Sequence, residues 1–284
     1  MSPTVLQIVI LGLVQGAAEL LPVSSSAHVI AAEKLMRLDP SSPEMTFLLV
    51  MLHAGTMFAV VAYFWKSWRQ RFFSSAESLR RALVGVCLAT GATAAVGLPI
   101  LWALERATGR PVEALFSSLP LIAASVAASG VVILWAGSRP AAVNSDASAP
   151  IPLGDAGLMG AVQGLVLPFR GLSRSGTTIS AALLRGVARR TAEEFSFALA
   201  VVITPPVIFR ELRRFYKARA ALGEHVHVGA MLAPGLLGMA CSFVGGLLAL
   251  AWLSSWLERG RWTYFGLYCL VAAAALLGMA ALGY

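Results

Sequence analysis

Two stretches decide the architecture: VQGAAELLPVSSSAHVIAA at residues 14–32 and VQGLVLPFRGLSRSGTTISAA at residues 162–182. Both open Val-Gln-Gly, pass through Leu-Pro, reach a Ser-x-Ser and a small residue, and continue as an apolar run. Further along, EMTFLLV from Glu44 answers EFSFALA from Glu194. The chain therefore reads as a duplication, with pseudo-repeat halves at 1–137 and 153–284 inside a single integral unit, 1–284. The Ala-, Ser- and Pro-rich segment SRPAAVNSDASAPIP, 138–152, reads as the linker between them.

Composition says what kind of duplication this is. Of 284 residues, 58% are apolar and only 13% charged, against about 25% charged in an average soluble domain. That is too little charge to clothe a soluble fold, which excludes a soluble enzyme, a secreted scaffold and a disordered chain. The net charge of +8 fits loops that face anionic lipid and the cytoplasm. No basic stripe is interleaved with aromatics, so nucleic acid is not an expected partner. Cys87, Cys241 and Cys269 lie in apolar runs at no metal-like spacing and read as packing residues. The first apolar run has no preceding Lys or Arg, so it is expected to remain in the mature protein.

The apolar blocks in the first half are Thr4–Leu21, Ala27–Leu35, Met45–Trp65, Arg81–Leu104 and Glu113–Trp135. Those in the second are Leu153–Leu167, Gly176–Val187, Ala192–Leu212, Val228–Trp256 and Trp262–Leu282. The first two of each half are short and broken by Leu-Pro and Ser clusters, and each pair reads as a re-entrant hairpin. Three full spans per half is an odd number, so the second half starts on the opposite side from the first. The expected fold is an all-α polytopic membrane protein: an inverted-topology repeat of six full spans plus two re-entrant helical hairpins. A slight Lys and Arg excess on one side points the N-terminus outward.

The residues that carry chemistry sit in the two motifs. A carboxylate at Glu19, in an apolar segment, costs several kcal/mol unless paired or hydrated. Gln15, four residues earlier, shares its helix face; the plainer reading is a hydrogen-bonded pair joining two helices. In PVSSSAH, Ser24, Ser25 and Ser26 fit an N-cap, but a cap leaves His28 unexplained. RGLSRSGTT packs Arg170, Gly171, Ser173, Arg174, Ser175, Gly176, Thr177 and Thr178 into one hairpin tip. An arginine at membrane depth wants an anion, glycines let amides approach a ligand, and a helix N-terminus favours negative charge; the plainer reading pairs Arg174 with Glu19. Inverted symmetry brings both Ser-rich helix starts to one midplane pocket suited to phosphate or diphosphate. Glu19 beside it suits phosphate only if protonated or bridged by a divalent cation, Mg²⁺ or Ca²⁺, with Gln15 as a second candidate ligand.

QGAAELLPVSSSAH resembles the (Glu/Gln)-x-x-x-Glu plus P-V-S-S-x-x-H signature of the bacterial undecaprenyl-diphosphate phosphatases of the bacitracin-resistance type. RGLSRSGTT resembles that family's P-G-x-S-R-S-x-x-T signature, and EEFSFALAV from Glu193 its following block. The resemblance implies a multi-pass enzyme of the bacterial cytoplasmic (inner) membrane. Such an enzyme hydrolyses undecaprenyl diphosphate to undecaprenyl phosphate and inorganic phosphate. This recycles the lipid carrier of peptidoglycan synthesis and confers bacitracin resistance. Carried over by motif, Glu19, Ser25, His28 and Arg174 are the catalytic set. Gln15, Ser24, Ser26, Ser173, Ser175 and Thr178 surround them, with Arg170, Gly171, Gly176 and Thr177 as further substrate contacts. Gln15 stands where many members have Glu, and Arg170 where the motif has Pro.

Ser25 is then the expected nucleophile, with His28 as base, acid or orienting group; a water, or His28 itself, stays open as nucleophile. Membrane lipids and a second copy of the chain, as a homodimer, are the other candidate partners. The rival reading is a transporter or flippase of a phosphorylated prenyl lipid using the same anion site. Ile179 and Ser180 stand where acid-phosphatase-like lipid phosphatases need a His, and no nucleotide-binding G-x-x-x-x-G-K-[ST] is present.

Overall fold

The computed structural model describes residues 3–39, 42–109, 118–139, 150–221 and 228–283. Among these are ten helices and no strand: α1 Val5–Leu20, α2 Ser25–Leu35, α3 Pro43–Phe72, α4 Ala76–Thr108, α5 Leu119–Gly137, α6 Leu153–Val166, α7 Arg174–Leu184, α8 Arg189–Ala221, α9 Val228–Glu258 and α10 Trp262–Ala281. Each expected apolar block has its helix. Most of the 138–152 linker, and the start of the Glu113–Trp135 block, fall outside the described residues.

Local chemistry sets the ends. α1 begins with a reciprocal capping box, Thr4 accepting from the Gln7 amide and Gln7 from the Thr4 amide. α3 begins on Ser42 as cap with Pro43 in its first turn, and ends on Arg69 and Arg71, cations that suit a helix C-terminus. Leu21-Pro22 stops α1, because the residue before a proline is pushed out of helical geometry.

Six helices are long and apolar enough to cross a membrane: α3, α4, α5, α8, α9 and α10. This is a multi-pass membrane protein. Its outer wall carries Leu83, Leu98, Trp102, Val131, Trp135, Leu248 and Val271, all exposed, as acyl chains require and water would not tolerate. The other four helices have 16, 11, 14 and 11 residues. At about 1.5 Å per residue none reaches the roughly 30 Å of a hydrocarbon core.

The short helices are buried by the long ones through backbone contact. α1 lies on α9, where Cβ atoms on Gly12 and Gly16 would strike Cys241 and the Ser242 carbonyl. α6 lies on α4, where Cβ atoms on Gly160 and Gly164 would strike the Ala89 and Thr93 carbonyls. Each is a Gly-x-x-x-Gly stripe, the small-residue solution to helix packing in lipid, where no hydrophobic force draws helices together. α5 pairs with α10, and α3 packs on both α8 and α9. At one end of the α3–α8 contact, buried Glu194 joins the two helices: Ser67 and Arg190 donate to its Oε1 at 2.5 and 2.9 Å, and Arg71 lies 3.3 Å from Oε2. This framework holds the α1–α2 and α6–α7 turns against each other.

Candidate active site

The two turns touch. The Gly171 amide donates to Ser26 Oγ at 3.2 Å, and Ser175 Oγ donates to the Leu21 carbonyl at 3.4 Å. Gly171 has φ +97°, and a Cβ there would meet the Ile122 carbonyl of α5. Only glycine makes that turn without strain. Ser129 of α5 accepts from the Ser173 amide at 2.8 Å, and Cys269 of α10 donates weakly to the Pro22 carbonyl at 3.4 Å. Each turn is thus pinned by the third long helix of one half.

Around that junction, Glu19 is the hub. Ser25 Oγ donates to Glu19 Oε2 at 2.5 Å, and Gln15 Nε2 donates to the same oxygen at 3.2 Å. Arg174 NH2 lies 3.9 Å from Oε1, and His53 Nε2, from α3, 4.0 Å from Oε2. Arg174 NH1 donates to the Ser196 carbonyl at 3.3 Å, and Ser196 Oγ is 2.7 Å from Thr178 Oγ1. The guanidinium is therefore held from α8 and only loosely by Glu19, which leaves donors for an anion.

The serines of α2 are not caps by side chain. Ser24 precedes the helix but makes no capping bond, Ser25 turns to Glu19, and Ser26 accepts from Gly171. The helix N-terminus is left with amides and a positive dipole end directed at the junction. α7 differs: Ser173 caps it, accepting from the Gly176 amide at 3.1 Å. The expectation that glycines here let amides approach a ligand is corrected: the Gly171 and Gly176 amides are spent inside the protein, and those of Leu172 and Thr177 that follow them donate to the Phe169 and Ser173 carbonyls at 3.2 and 3.0 Å. Thr177 donates to the Ser173 carbonyl and Thr178 to the Arg174 carbonyl, so both hydroxyls turn into their own helix. Arg170 is exposed, and its charge acts on buried Glu33 of α2.

His28 does not meet Ser25. Its Nδ1–H donates to the Ser24 carbonyl at 2.7 Å, which leaves Nε2 to accept from the Tyr268 hydroxyl of α10 at 2.8 Å, the rings stacked at 12°. Ser24 has φ 71°, a strained region for a non-glycine residue, and the His28 bond fixes its carbonyl. His28 braces the turn that presents Ser25, and the group in hydrogen-bond contact with the Ser25 hydroxyl is the Glu19 carboxylate.

Whether these residues suit a Mg²⁺ or Ca²⁺ ion is answered by what faces Glu19. Its oxygens meet a hydroxyl, an amide nitrogen, a guanidinium and, at 4.0 Å, the His53 imidazole, and among the described residues no group of three His, Cys, Asp or Glu gathers. Such surroundings repel a second cation, so these residues do not fit a cation held by the protein alone.

A family profile described as Bacitracin resistance protein BacA matches residues 8–275. The chain belongs to that family. It is 50% identical over 282 residues to "Undecaprenyl-diphosphatase 2" of Acinetobacter baylyi, covering 97% of this chain and 98% of the relative. It is 33% identical over 279 residues to "Undecaprenyl-diphosphatase" of Moorella thermoacetica, covering 97% and 98%. It is 32% identical over 285 residues to the protein of that name from Desulfatibacillum aliphaticivorans, covering 96% and 97%.

Sequence reasoning missed His53, Ser196, Ser129 and Tyr268. His53 carried a signal of the same kind as Glu19, a ring nitrogen inside the apolar run MLHAGTMFAV. Ser196 lies inside EFSFALA, a stretch that marks the repeat and the family block without singling out the serine. A serine or tyrosine in a span is commonplace, so Ser129 and Tyr268 carried none.

Proposed function

We propose that this protein hydrolyses undecaprenyl diphosphate to undecaprenyl phosphate and inorganic phosphate in the bacterial cytoplasmic membrane, as the resemblance and family membership imply. The observation that carries the chemistry is the 2.5 Å bond from Ser25 to Glu19 at the uncapped start of α2. Ser25 Oγ attacks the terminal phosphorus and its proton passes to Glu19. The bond from phosphorus to the bridging oxygen breaks, and its electron pair leaves with the lipid monophosphate. Water then attacks the phosphorus of the phosphoserine, the bond to Ser25 Oγ breaks, Glu19 returns its proton to that oxygen, and phosphate leaves with both protons of the water. The transition state is loose, so most of the acceleration is positional and electrostatic. Arg174 and the first amides of α2 hold the phosphoryl oxygens, and His28 keeps the Ser24 turn in place.

The inverted repeat and its two re-entrant hairpins belong to the same reading. Support comes from the matched packing: α1 of one half on α9 of the other, α6 on α4, and α5 with α10, with Gly12 and Gly16 answered by Gly160 and Gly164. Such halves also suit transport of a phosphorylated prenyl lipid, but transport requires no nucleophile bonded to a base.

The deciding experiment is release of inorganic phosphate from a prenyl diphosphate by purified protein in detergent. Turnover by the native chain and none by Arg174→Ala is expected; an inactive native chain, or an active Arg174→Ala, overturns the reading.

A further inference from the structure

His53 stands against Glu19 yet belongs to neither motif, and the chemistry above gives it no task. Its placement is rigid. Ser242 of α9 donates to the Leu52 carbonyl at 2.8 Å, and a Cβ on Gly55 would strike the Met239 carbonyl. α3 is therefore locked to α9 on both sides of His53. The ring itself is fixed by Nδ1–H donating to the Leu49 carbonyl at 2.7 Å, which turns Nε2 to the site. At 4.0 Å from Glu19, Nε2 is beyond hydrogen-bond reach, as is Arg174 NH2 at 3.9 Å. Two nitrogen heads thus approach the two oxygens of one carboxylate, Arg174 at Oε1 and His53 at Oε2, and neither is consumed by it. The Arg174 side chain is 14% exposed and that of His53 43%, so the imidazole is the more open of the two.

We propose that His53 is a substrate-contacting residue, its Nε2 holding a non-bridging oxygen of the terminal phosphoryl group beside Ser25 while Arg174 holds another. The inference rests on the diphosphatase reading. In the proposed contact Nδ1–H stays on the Leu49 carbonyl and Nε2 donates to the phosphoryl oxygen.

The test measures phosphate release from farnesyl diphosphate by the full chain in detergent, with inorganic phosphate as product inhibitor. His53→Leu keeps bulk and loses the nitrogen, and is expected to raise KM and the phosphate inhibition constant together, by about ten- to a hundredfold, with a smaller change in kcat. His53→Gln restores a donor at similar reach and is expected to bring KM back to within about fivefold of native. If H53L does not purify as a folded species, His53→Asn, whose amide falls short, takes its place with the same expectation. KM and inhibition constant unmoved in H53L, or H53Q no better than H53L, overturns the inference. A native chain that releases no phosphate fails the diphosphatase reading instead, so the two failures are told apart.

Discussion

Ser25 and Glu19 are six residues apart on either side of a proline turn, and their 2.5 Å contact is where the chemistry is decided. Ser25→Ala removes the hydroxyl proposed as nucleophile and is expected to lower kcat by at least about a thousandfold with the protein still folded. Trapping a phosphoserine at Ser25 in the native chain, by rapid acid quench with labelled substrate, checks the same step from the other side. Tyr268→Phe takes one hydrogen bond from His28 and leaves the stack. The expected loss is about three- to tenfold in kcat with KM little changed, the scale of a single neutral hydrogen bond. A residual rate equal to native would remove Tyr268 from the site.

At the scale of elements, glycine contacts decide whether the short helices can stay where they are. Gly160 has no room for a Cβ against the Ala89 carbonyl, and Gly16 none against that of Ser242. Gly160→Ala and Gly16→Ala each force α6 from α4 or α1 from α9, at about 1–3 kcal/mol of overpacking. Denaturant unfolding in detergent reads this, with a matching loss of phosphate release, because the turns at Leu21 and Gly171 move with their helices. Gly154→Ala, open to space, is the control that leaves stability unchanged.

For the whole molecule, the testable statement is that the two halves meet at their turns. Leu21 and Ser175 lie 154 residues apart in the chain, and a hydrogen bond of 3.4 Å joins them. A Leu21→Cys/Ser175→Cys pair, with Cys87, Cys241 and Cys269 replaced by Ala, is expected to cross-link under mild oxidant within one chain. The readout is a reversible gel shift and loss of activity restored by reductant. No intramolecular link would mean the turns do not meet. The ten apolar blocks, Glu19 and the Arg174 motif are legible in the sequence alone, since each is a local pattern: a run of apolar residues, or a charge where lipid forbids one. Which partner each charge takes was not legible. Spacing lets His28 read as base, acid or orienting group for Ser25, whereas the Ser24 carbonyl and Tyr268, 240 residues on, hold both its nitrogens, which fits the orienting reading.

By itself the sequence determined that this chain lives in lipid and which two stretches share a pattern of residues, because hydrophobic run length and repeated words are written along the chain. Only the tertiary structure decided that Glu19 faces Ser25, that Arg174 hangs from Ser196, and that His53 enters from a span outside both motifs. Those relations depend on which long helix each short helix lies against, and that is set by backbone-to-backbone contact at Gly12, Gly16, Gly160 and Gly164, between segments far apart in sequence.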